Sequence, residues 1–135
     1  MNGKLNYLLS AYSVRPHAGS EPGLGWYWLK ELVKQKYKVF LVTESEFQKE
    51  LDDWIKNEKI ENIEILYVSI GKLGRRLCWN QGSWIFYLFY RIWQFKAFLI
   101  SLHKWRKIDF KFIHHLNMIG YRELGFQWMR RGIKI

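Results

Sequence analysis

Short apolar runs and helical spacings alternate along the chain. Lys4 to Tyr12 contains Leu5, Tyr7, Leu8 and Leu9, a compact apolar run that gives way to a loop from Ser13 to Pro22 and predicts a buried strand. From Gly23 the spacing turns helical, with Leu24, Trp28 and Leu32 at every fourth residue and Lys30, Glu31 and Lys34 on the other side. Lys38 to Thr43 (KVFLVT) is a second short run, apolar and β-branched. Strand, helix and strand in that order predict a right-handed βαβ unit with parallel strands. Glu44 to Asn57 predicts a solvated helix with an apolar stripe of Phe47, Leu51, Trp54 and Ile55, and Ile63 to Ile70 (IEILYVSI) alternates like a third strand. Gly71 to Gly82 is a basic connection punctuated by glycine. Ser83 to Lys107 carries the longest helical pattern, with Leu88, Ile92, Phe95, Leu99 and Leu102 at four-three spacing. Phe110 to Leu116 predicts a fourth strand, Asn117 to Gly120 a loop, Tyr121 to Arg130 a short helix, and Gly132 to Ile135 the opening of another strand. The fold class expected is α/β, a Rossmann-like parallel sheet with flanking helices in one domain spanning 1–135. A parallel strand at the C-terminus with no helix to cover it reads as an incomplete domain.

Composition narrows the class. With 135 residues, 49% of them hydrophobic, and only two prolines, the chain can bury enough apolar surface to order itself, which excludes intrinsic disorder. The single Cys78 can form no internal disulfide and fits a reducing, cytoplasmic compartment. Ser10, Ser13, Arg15 and Pro16 follow the first apolar run in place of a leader cleavage site. Arg91, Gln94 and Lys96 interrupt the stretch from Trp84 to Leu102 at its centre, which argues against a spanning helix.

The net charge of +10 and an aromatic share of 19% raise two kinds of partner. Nucleic acid is one, yet no zinc finger or RNA-binding aromatic strand signature is present, so no specific nucleic-acid binding is expected. An anionic membrane surface is the other. Over 83–107, Trp84, Phe86, Tyr87, Phe89, Tyr90 and Trp93 accompany Arg91, Lys96, Lys104, Arg106 and Lys107, with Lys72, Arg75 and Arg76 preceding them. Peripheral attachment to the inner face of the cell membrane is one expectation. Packing of the second apolar face on a missing remainder of the protein is the other.

In an open parallel sheet, ligands bind beyond the carboxyl ends of the strands. After the first strand stands GSEPGLGW, Gly19 to Trp26, whose Gly19, Gly23 and Gly25 suggest a turn into a helix terminus that attracts phosphate. Ser20 can cap that helix or donate a hydroxyl, and Glu21 can accept from a ligand hydroxyl; a plain capped turn accounts for the same residues. The Walker pattern is absent, and the dinucleotide fingerprint fails because Trp28 occupies the place of its third glycine. Glu44, at the end of the second strand, stands where a dinucleotide enzyme holds a ribose, which keeps a non-catalytic nucleotide- or dinucleotide-binding module as the alternative function. On the fourth strand His114 and His115 are adjacent and must point to opposite faces, so they cannot jointly chelate a metal. His17 and His103 lie elsewhere and no cysteine cluster exists, so no metal site is expected.

The segments SAYSVRPHAGSEPGLGWYWLKELVKQ, KVFLVTE and IHHLNMIGYRELGF are together similar to the N-terminal half of family 4 retaining glycosyltransferases of bacterial type. The resemblance rests on GSEPGxGW and on a His-His pair followed by Tyr121, Arg122, Phe126 and Trp128. It implies the N-terminal domain of a GT-B fold, with the donor-binding C-terminal domain absent. The implied activity moves a sugar from a nucleotide-diphosphate donor to a glycan or lipid-linked acceptor hydroxyl with retention, without an obligatory metal or resident cofactor, in cell-surface polysaccharide or glycolipid synthesis. Under the resemblance His114 or His115 touches the transferred sugar, Gly19, Ser20, Glu21, Gly23 and Gly25 form the donor-phosphate and acceptor loop, and Asn117, Tyr121 and Arg122 contact acceptor. The family's paired glutamates belong to the missing domain. Glu50 and Glu58 share their spacing but sit among Asp52, Asp53, Lys56 and Lys59 on a charged helix face. The fragment alone is expected to be inactive.

Overall fold

The structure, a computed structural model, describes residues 4–77 and 84–116. Four parallel strands, β1 (Asn6–Ala11), β2 (Lys38–Thr43), β3 (Ile63–Tyr67) and β4 (Phe112–Leu116), lie in the order β3-β2-β1-β4. The helices are α1 (Ser20–Lys34), α2 (Gln48–Asn57), α3 (Lys72–Leu77) and α4 (Trp84–Lys104), with a short 3-10 turn over Ser45–Phe47 ahead of α2. The Rossmann-like α/β reading holds for these residues. The loop, helix and strand expected from 117 onward, with the candidate acceptor contacts Asn117, Tyr121 and Arg122, lie outside the described residues.

Alternation along the strands builds two cores. Leu8, Phe40, Val42 and Val68 face α4 and pack with Phe86, Tyr90, Trp93, Ala97, Trp105 and Phe110. Leu9, Ala11, Val39 and Leu41 face the other way, toward Leu29 and Leu32 of α1 and Leu51 of α2. Adjacent residues thus serve opposite cores, as a sheet covered on both faces requires. Leu8 and Leu9 are each fully sealed from water.

Both α1 and α2 stop without glycine. Past α1, Lys36 takes a left-handed φ of 67° while the Lys36 and Tyr37 amides donate to the Val33 and Leu32 carbonyls at 3.1 and 3.3 Å. Past α2, Lys59 (φ 52°) and Ile60 do the same to Lys56 and Ile55. The paired bonds satisfy carbonyls that the helix end leaves open, which offsets the strain of a left-handed lysine. Asn62, just before β3, donates its side-chain amide to the Val33 and Tyr37 carbonyls at 3.0 and 2.8 Å, tying the α1–β2 turn to the next strand.

Several boundaries differ from the sequence expectation. α1 begins at Ser20 rather than Gly23, β3 ends at Tyr67 rather than Ile70, and the connection after it contains the helix α3. The four-three stripe of Leu88, Ile92, Phe95 and Leu99 turns out to be the outer face of α4. The sheet takes the other face, through Phe86, Tyr90, Trp93, Ala97 and Ser101. At 21 residues and a mean hydropathy of 1.2, α4 is long and apolar enough to cross a membrane by length and composition, with its inner face packed on the sheet.

Trp93 anchors that packing. Its ring is buried, edge-on to Tyr12 at 5.0 Å between centroids, and its indole N–H donates to the Val68 carbonyl at 2.7 Å. Trp93→Phe leaves that buried carbonyl without its donor and a void beside Tyr12. A loss of about 2 kcal/mol in unfolding free energy, read by urea denaturation, is expected.

Candidate functional site

The chain steps outward from β1 through β2 to β3 and then returns to the far side of β1 with β4. Such a reversal is where an open α/β sheet places a ligand crevice, here beyond the carboxyl ends of β1 and β4, which pair Ser10 with His115 and Ala11 with Leu116. The loop leaving β1 and the end of β4 are therefore the walls of the candidate site.

The loop is rooted rather than free. Tyr12 inserts into the α4 core, the Arg15 amide donates to the Pro22 carbonyl at 3.0 Å, and the Arg15 guanidinium lies 5.1 Å from the Phe47 ring centre. His17 (φ 61°) and Ser20 (φ 56°) both hold left-handed backbone, so local strain concentrates in this loop. Gly19 is the N-cap residue of α1, and no side chain caps the helix, so the cap expected of Ser20 is not made.

The glycines do different work from that expected of a phosphate-cradling turn. Gly23 and Gly25 lie within the first two turns of α1, where a Cβ would fall 1.9 Å from the Ala18 carbonyl oxygen and 2.6 Å from that of Ser13. They are needed so that the loop can lie against its own helix. Of the three glycines in this segment, Gly19 faces open space. The Gly23 amide donates to Gly19 at 3.3 Å and Pro22 has no N–H, which leaves the Ser20 and Glu21 amides as the donors of the first turn without an intrahelical acceptor.

His114 and His115 take opposite faces of β4, as expected. His115 points to the α4 side, with Nδ1 at 3.3 Å from Ser10 Oγ and Nε2 at 3.5 Å from Tyr90 Oη. His114 points to the α1 side, with Nδ1 at 3.0 Å from Tyr7 Oη and its ring edge-on to Trp28 at 5.1 Å. Burial lowers the His114 pKa from 6.5 and so favours the neutral ring; burial, then the neighbouring Tyr37, raise that of Tyr7. Both groups are held neutral, and the hydrogen bond between them orients the His114 ring. Helix α1 links the two walls, with its first turn at the crevice and Trp28 against His114.

Glu44, the candidate ribose acid, is fully engaged. The carboxylate is buried, forms an ion pair with Arg75, and accepts from the Ser45 and Ile70 amides at 2.8 and 3.1 Å. It fastens the ends of β2 and β3 to α3, and both of its oxygens already have protein partners. Glu50 and Glu58 lie exposed on and just past α2, as read from the sequence. Among the described residues no three His, Cys, Asp or Glu side chains converge on a metal position.

A separate cavity of about 460 Å³ lies between α1 and α2, lined by His17, Trp26, Lys30, Lys34, Trp54 and Glu58 among others. His17 packs on Trp26 at 4.6 Å and the Lys30 ammonium sits 4.5 Å from the Trp26 ring centre. Sequence reasoning passed over this cluster, and equally Tyr7, Ser10, Tyr90 and Arg75 as partners of the candidate residues. Strand register and the crossing of α4 bring them together, and neither is written in local spacing. No family model matches the chain, nor does any curated protein or solved structure.

Gly23→Ala is expected to destabilise by about 2 kcal/mol, because the carbonyl it strikes is backbone, whereas Gly19→Ala loses under ~1 kcal/mol; urea midpoints compare them. For His114 the folded pKa lies below 6.5, so the unfolded chain binds more protons in acid. Its contribution to stability is present above pH 6.5 and is lost as the pH falls through the lowered folded value. Comparing denaturation at pH 7.5 and 5, His114→Gln should show a smaller acid loss than the parent.

Proposed function

We propose that the chain is the acceptor-side half of a retaining glycosyltransferase of GT-B type, moving a sugar from a nucleotide-diphosphate donor to an acceptor hydroxyl. One observation carries the reading: the GSEPGLGW segment, which opens α1 behind β1, and the His-His pair on the neighbouring β4, which bear the sequence resemblance, flank the point where the strand order reverses. The Ser20 and Glu21 amides supply the positive helix end for a leaving diphosphate. His114 is the better candidate for the transferred sugar, because both nitrogens of His115 already face Ser10 and Tyr90, whereas among the described residues only Nδ1 of His114 has a partner.

The reaction breaks the bond from the anomeric carbon to the diphosphate and forms one from that carbon to the acceptor oxygen on the same face. The acceptor proton leaves with the departing phosphate oxygen. A second domain holding the donor, with two glutamates seven residues apart, belongs to the same proposal. The setting proposed is cytoplasmic, in cell-surface polysaccharide or glycolipid assembly. The engagement of Glu44 by Arg75, Ser45 and Ile70 weighs against the dinucleotide-binding alternative.

The test is a transfer assay on the product of the complete reading frame, with labelled nucleotide-diphosphate sugars and glycan or lipid acceptors. Transfer with retained anomeric configuration is expected, and His114→Ala should lower kcat about a hundredfold. Binding of NAD with no transfer from any sugar nucleotide overturns the reading in favour of the dinucleotide module.

A further inference from the structure

The outer face of α4 carries an apolar stripe, with Lys96 exposed beside it. Trp84 is 75% exposed, and Leu88, Ile92, Phe95 and Leu99 are each about half exposed, in one stripe along the helix. From Trp84 to Leu99 the stripe runs roughly 22 Å. Charge is distributed with the same polarity. Between Ile65 and Ile108 there are eight Lys and Arg and not one Asp or Glu, so the rest of the chain, with 14 basic and 12 acidic residues, is nearly balanced. Lys72 and Arg76 on α3, which packs on α4, are exposed, as are Lys104, Arg106 and Lys107 at the α4 end. On the other side of the sheet, α2 and its end expose Glu50, Asp52, Asp53 and Glu58 together with Lys49, Lys56 and Lys59, so that face is nearly balanced.

We propose that this face of α4 docks on an anionic phospholipid bilayer, with the helix lying in the interface plane, its Trp84 to Leu99 stripe among the acyl chains and the α3 and C-terminal cations among the headgroups. An apolar stripe flanked by five exposed cations, with Asp109 the acid exposed beside the C-terminal group, gains both from insertion and from surface potential, and orients the molecule. A second copy seated here would set one cationic field against another. Nucleic acid would meet Leu88, Ile92 and Leu99 where its phosphates need charge. The proposal is independent of what the β1/β4 crevice binds, and an inactive crevice leaves it standing.

Flotation of the whole chain with phosphatidylcholine vesicles, with and without phosphatidylglycerol, tests it. Binding to the anionic vesicles at low salt, weakening as salt rises, is expected. Lys104→Gln combined with Lys107→Gln should weaken it about thirtyfold. Ile92→Ser with Leu99→Ser, both at exposed positions and checked for an unchanged circular dichroism spectrum, should abolish it. Failure to float with anionic vesicles overturns the proposal. So does binding that survives the Ile92→Ser, Leu99→Ser change. A dimer by sedimentation velocity that the same change dissolves, with no vesicle binding by the parent, assigns the face to a second copy.

Discussion

Leu8 and Leu9 are neighbours in the chain, both closed off from water, and in a strand they must look in opposite directions. That single constraint obliges helices on both sides of the sheet. It brings α1 and α2 onto one face and α4 onto the other, and the change of side between β3 and β4 follows because each crossover keeps the same hand. The crevice beyond β1 and β4 results from that change of side, so the candidate site is a product of how the middle strand is buried.

The architecture was largely legible in the sequence because its signals are local. KVFLVT is β2 residue for residue, and adjacent histidines on a strand must part. What stayed hidden needs long-range information. Gly23 and Gly25 read as turn residues, since nothing local reveals that the Ala18 and Ser13 carbonyls approach them. The apolar faces of α4 give periodicities of equal merit, and only the packing of Trp93 beneath Val68 decides which one turns inward. Lys36 and Lys59 end helices where glycine is the usual signal. The Glu44–Arg75 pair spans 31 residues and joins two segments whose meeting depends on the sheet order.

Within the candidate site the two histidines illustrate how one sequence doublet acquires two environments. His115 is held in a polar chain from Ser10 to Tyr90 beneath α4, while His114 shares a bond with Tyr7 beside the partly open Trp28. Burial disfavours the charged form of His114 and the ionised form of Tyr7 alike. A hydrogen bond between two groups that both resist charge fixes the orientation of the ring and keeps its proton in place, because moving it would create both of the charged forms that burial disfavours.

The pairing of β1 with β4 has a consequence for the order of assembly. Tyr7 and His114 are 107 positions apart, whereas β1, β2 and β3 follow one another with a single helical segment between each. As the chain leaves the ribosome, the three-stranded half can close on α1 and α2 while α4 and β4 are still unmade. The remaining loop is the longest in the sheet, and its closure is the slowest to be repaid by contacts. The crevice is therefore absent from the nascent protein until β4 docks, and the earliest compact species has its second hydrophobic face bare.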